Sequence, residues 1–125
     1  MTDKNNDPEP SLMEDIDPRY LEFIRKRVDS FIKWDLVRFF HDNPHTADTA
    51  ESIARYTGRD SSLVEMELKD LAQSGVLEAT PLREMMVYTL THDPEVRDLI
   101  HSFVQACDDR QFRVKAIYHI IAGMR

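Results

Sequence analysis

A chain of 125 residues with 42% hydrophobic content suits one domain with its own core, and no apolar run reaches the length of about 18 residues that a membrane-spanning helix needs. A formal net charge of −7 argues against simple capture of a phosphate backbone. A polar, acidic N-terminus predicts no secretory signal, and one cysteine, Cys107, leaves no internal disulfide and fits a reducing cytoplasm.

Residues 1–17 are rich in acid, Asn and Pro and predict a disordered acidic tail, leaving 18–125 as a single domain. The first 18 residues carry −5, so the remaining 107 hold only −2. Asp17-Pro18 is a helix start, with a cap followed by proline at the first helical position. Leu21, Ile24, Val28, Phe31 and Ile32 then recur on one helical face. Residues 18–42 read as one bent helix or as two, with a break near Ser30 favoured; the denser second run has Trp34, Leu36, Val37, Phe39 and Phe40, and its outward residues include Lys33 and Arg38. Arg25-Lys26-Arg27 reads as a solvated helix face. Asn43-Pro44 ends the second helix, and His45 to Asp48 is a short extended link.

Thr49 is an N-cap type residue ahead of Ile53, Ala54 and Tyr56 on helical spacing. Gly58 stops that helix, and Asp60 caps another, in which Val64, Leu68 and Leu71 form one buried stripe. Gly75 closes it. Two short helices joined by a tight turn are a helix-turn-helix. Glu78 to Thr91 predicts two strands around Pro81-Leu82-Arg83-Glu84, with 76–80 paired antiparallel to 86–90. Asp93-Pro94-Glu95 starts another helix with Val96, Leu99, Ile100, Phe103 and Cys107 in a stripe. After an interruption at Asp108-Asp109, Phe112, Val114, Ile117, Tyr118, Ile120 and Ile121 carry a final apolar set.

A helix-turn-helix followed directly by a hairpin is the order of a winged helix. Ile53-Ala54, Thr57-Gly58, Val64 to Leu68, Leu71, Gly75-Val76-Leu77 and Val87 to Thr91 carry the resemblance. The chain resembles the winged helix-turn-helix domains of bacterial transcription regulators of the MarR, ArsR and PadR kind. The fold so implied is mainly α with a two-stranded β wing, a core at about 30–92, and additional N- and C-terminal helices. The function implied is DNA-binding transcription regulation by a homodimer on double-stranded DNA. In such regulators the second helix of the motif lies in the major groove. Carried to this sequence, that gives Thr49, Arg59, Ser61, Ser62, Met66, Lys69, Gln73 and Arg83 as DNA-contacting positions. Residues 51–75 nevertheless sum to −2, where a DNA reader is normally positive. The alternative is a winged helix used as a protein-interaction or assembly module.

The terminal apolar sets exceed what one mutual stripe needs. They predict a homodimer through Leu21, Ile24, Val28, Phe112, Ile117, Ile120 and Ile121. No nucleotide loop, nucleophile elbow or metal signature is present, so neither enzyme activity nor a cofactor or metal is expected. His41 and His45 are separated by Pro44 and cannot share a helical face. Cys107 lies on an apolar stripe beside Asp108-Asp109 and reads as buried and unreactive. Phe31, Trp34, Phe39, Phe40 and Tyr56 suit either the core or an effector pocket.

Overall fold

Each helix in the computed structural model, which describes residues 15–124, begins at a side chain that accepts a hydrogen bond from the helix's own first turn. Asp17 caps α1 (Pro18–Arg27), Ser30 caps α2 (Phe31–Asp42) and Thr49 caps α3 (Ala50–Thr57). Asp60 caps α4 (Ser61–Gln73), Asp93 caps α5 (Pro94–Ala106) and Asp109 caps α6 (Arg110–Gly123). The chain turns sharply after α3 and α4 because Gly58 and Gly75 take φ of 69° and 86°, conformations that a β-carbon disfavours. The tail expected over 1–17 lies outside the described residues up to 14. Residues 15–17 join the fold instead: Ile16 packs against the core, and Lys115 Nζ donates to the Asp15 carbonyl at 2.8 Å.

The protein is mainly helical, with one small antiparallel sheet of three strands in the order β1-β3-β2. The third strand corrects the expectation of two. The link before α3 becomes β1 (Ala47–Thr49), pairing Ala47 with Thr89 and Thr49 with Val87. The central strand β3 (Met85–Leu90) thus has a partner on both sides, which satisfies its backbone groups. The hairpin is also tighter than the sequence predicts. β2 (Leu77–Leu82) stays paired until Leu82 meets Met85, so the turn is Arg83-Glu84 alone, with Arg83 at φ 57°.

The core forms where α2, α4 and β3 converge. Val64, Leu68 and Leu71 are fully buried, as their spacing predicts, against a core that includes Leu36, Phe40, Ile53 and Tyr88. Leu68→Ala should cost about 3 kcal/mol, because the cavity it leaves is walled by rigid elements. A lower urea midpoint at unchanged slope checks this.

The terminal helices correct part of the dimer expectation. α1 and α6 pack on each other within one chain, and both reach α5 through ring contacts with Phe103. Tyr20 meets Phe112 at a ring separation of 5.3 Å, and Phe23 meets Phe103 at 5.1 Å. Ile24, Val28 and Ile120 are therefore core residues, not a surface for another copy. Leu21, Phe112 and Ile117 are half-buried, and Ile121 alone of the seven is exposed. Among the described residues, no helix is long and apolar enough to cross a membrane.

Candidate interaction surface

The face built by α3, α4 and the hairpin has fewer free cations than its sequence suggests. Lys33 was expected to point outward, but it is 6% exposed and sits among three carboxylates. Its Nζ lies 2.7 Å from Asp29, 3.3 Å from Asp70 and 3.6 Å from Glu67. Ser30 Oγ donates to Glu67 at 3.0 Å and completes the cage. Burial, the largest single effect, pulls the Lys33 pKa down. The hydrogen bond and charge of Asp29, then Asp70 and Glu67, outweigh it and hold the value above that of an ordinary lysine. Two acids of α4 thus reach Lys33 on α2, Glu67 from a half-buried position and Asp70 from an exposed one.

The candidate DNA contacts divide accordingly. Arg59 Nε donates to Asp35 at 2.8 Å, which ties the guanidinium to α2. Lys69 pairs with Glu65 at 3.7 Å on the outside of α4. The Thr49 hydroxyl accepts from Ser52 N as a cap, and Ser62 Oγ donates to Asp60 at 2.6 Å. That hydrogen bond, then the one from Leu63 N, holds the Asp60 carboxyl below its usual range. Ser61, Gln73 and Arg83 are exposed, Arg83 at the hairpin tip. Met66 is 64% exposed, and beside it stands Leu63 at 49%, a position the sequence reading did not single out. Of the three cations among these positions, Arg59 and Lys69 are held in ion pairs within the chain.

Between the hairpin and the start of α3 and α4 runs a groove of about 250 Å³. Glu51, Glu65 and Glu84 stand along it, with Met85, Met86 and Tyr88 providing apolar wall. No cation lines it. Burial, followed by the charge of Glu65, raises the Tyr88 hydroxyl pKa. The three carboxylates come from α3, α4 and the hairpin turn, so only the folded chain brings them together.

A second apolar surface lies on α6. Ala116, His119 and Ile120 face inward, while Val114, Tyr118, Ile121 and Met124 are exposed on the opposite side. Val114, Tyr118 and Ile121 stand at i, i+4 and i+7, one stripe on a helix without a single acid.

The aromatic set does not form one pocket. Trp34 and Phe40 are core, and Phe31 lies against Trp34. Phe39 and Tyr56 stack at 6.0 Å beside a surface hollow of about 390 Å³, where the Tyr56 hydroxyl donates to Asp48. Cys107 is buried; burial pushes its thiol pKa up to about 11, partly countered by Arg38 and Arg113. No family model matches the chain, and neither a curated protein nor a solved structure is significantly similar to it.

Proposed function

We propose that this protein is a homodimeric interaction module of the winged helix-turn-helix plan, with a protein partner rather than duplex DNA on its helix-turn-helix face. The observation that carries this reading is the groove of three glutamates and two methionines between hairpin and helices. Acid and exposed thioether suit a partner segment with basic and apolar side chains, since methionine adapts to irregular apolar surfaces. A phosphate backbone would meet carboxylates there, with Lys33 and Arg59 already committed to Asp29 and Asp35. The homodimer rests on the unpartnered α6 stripe, which a two-fold axis would bury against itself. The single buried cysteine suits a cytoplasmic setting.

DNA-binding regulation is the second reading. The element order and the exposed Ser61, Arg83 and Gln73 around α4 favour it. A duplex-retention assay separates the two. The module reading expects no retention of mixed-sequence duplex at about 50 mM salt, where phosphate binding is strong. Retention whose salt dependence flattens by about one unit in Lys69→Ala and in Arg83→Ala would establish both as phosphate contacts and overturn it.

A further inference from the structure

The fold brings together two histidines that lie 60 positions apart in the chain. His41 is at the end of α2 and His101 is on α5. Their rings meet edge to edge, with centroids 5.1 Å and planes 24° apart, and His41 Nε2 lies 2.9 Å from His101 Nδ1. On its other side, His41 Nδ1 lies 3.0 Å from the Asp42 carboxylate. An ionised carboxylate only accepts, so His41 Nδ1 is the donor to Asp42. In the neutral ring this leaves the Nε2 lone pair directed at His101, which must then supply the proton between them.

We propose that His41 Nε2 and His101 Nδ1 are a binding site for one divalent transition-metal ion of the copper, nickel or zinc kind. Two facing imidazole nitrogens can share a proton or a metal ion. Metal–nitrogen bonds of about 2.0–2.1 Å in tetrahedral geometry place two such nitrogens about 3.3 Å apart. The pair needs to open by a few tenths of an ångström, and each ring to tilt by about 35° so that both lone pairs meet at the ion. The ion takes the place of the bridging hydrogen, and His101 carries its proton on Nε2 instead, so the ring needs no net loss of a proton. Asp42 holds the His41 ring from behind, the arrangement by which a carboxylate orients a ligating imidazole and raises its basicity.

Imidazole pairs favour borderline ions, with Cu²⁺ bound most tightly. Among the described residues no group of three or more His, Cys, Asp or Glu surrounds a common point, so water completes the coordination. The His41 side chain is 22% exposed and His101 is exposed, which leaves room for that water. The site is therefore weaker than a closed structural zinc site. Its ligands come from two helices that pack together, so the folded chain holds the ion and the unfolded chain does not. The ion would clamp α5, from which α6 follows, to α2, to which the Lys33 cage fastens α4.

The test is titration of the full chain with CuCl₂, then NiCl₂ and ZnCl₂, followed by calorimetry and thermal unfolding. The expected result is one Cu²⁺ per chain and a rise in melting temperature that EDTA reverses. His41→Gln and His101→Gln should each weaken binding at least tenfold and abolish the rise. Asp42→Asn should weaken binding about tenfold, and His45→Gln and His92→Gln should leave it unchanged. His101→Gln, on the exposed side of α5, decides the matter if His41→Gln fails to fold. Absence of a melting shift in the wild type, or equal binding by wild type and His101→Gln, would overturn the site and leave the pair as a hydrogen bond only.

Discussion

Ile121→Glu should halve the mass measured by light scattering while leaving the folded chain intact. Among the described residues no element covers the exposed α6 stripe of Val114, Tyr118 and Ile121. A two-fold contact uses the same patch on both copies, so one substitution puts two glutamates into the same desolvated interface. Like charges facing each other in an interface cost several kcal/mol, which corresponds to a loss of at least about a hundredfold in affinity. Ile121 is 53% exposed in the single chain, so the monomer itself should keep its thermal stability. Val114→Glu is the second arm, and Ile120→Glu is no substitute, because Ile120 is core. A wild-type chain that is monomeric at micromolar concentration refutes the dimer outright.

Lys33→Glu should be the most damaging single charge change in the fold. It places a fourth carboxylate among Asp29, Glu67 and Asp70 and removes their common cation. Breaking a buried ion pair on one side costs about 3–5 kcal/mol, and added repulsion puts this variant at the upper end. Lys33→Met keeps the length of the side chain and should cost only about 1–2 kcal/mol, because Asp29 and Asp70 are half-exposed and can turn to water. The pH dependence follows from the raised Lys33 pKa. A cation stabilised by folding contributes fully below its unfolded pKa of about 10.4, and the contribution is lost as pH rises through the higher folded value. Alkaline unfolding should therefore begin at lower pH when Asp29 is replaced by Asn. Urea titrations that find Lys33→Glu and Lys33→Met equally stable would show that the cage contributes no charge specificity.

Helix boundaries were legible because this chain marks each start with Asp, Ser or Thr, and a cap is a local signal. The stripe of Val64, Leu68 and Leu71 was legible for the same reason, since its period is set by one helix. Lys33 was not. Its position among apolar residues looked like a solvated interruption, and two of its three partners lie 34 and 37 positions away. Asp29 four residues earlier was the one clue available in the sequence. The partnership of His41 with His101 was invisible for a like reason, because only the packing of α2 against α5 creates it. β1 was misread as a link because three residues carry no periodicity. Six of the seven residues expected at the dimer contact lie on helices, and Val28 caps the end of α1. Which side of α6 its own chain would cover was a tertiary question, and Ile120 and Ile121 answer it in opposite ways.

The order β1-β3-β2 leaves both outer strands of the sheet unpaired on one side. Neither invites another chain to add a strand. β1 is only three residues long, and β2 contains Pro81, which has no amide proton to offer. Growth of this protein into ribbons or fibrils by backbone pairing is blocked at both rims. Self-association is then left to side chains on helices, and the two-fold dimer proposed above would close on itself after two copies.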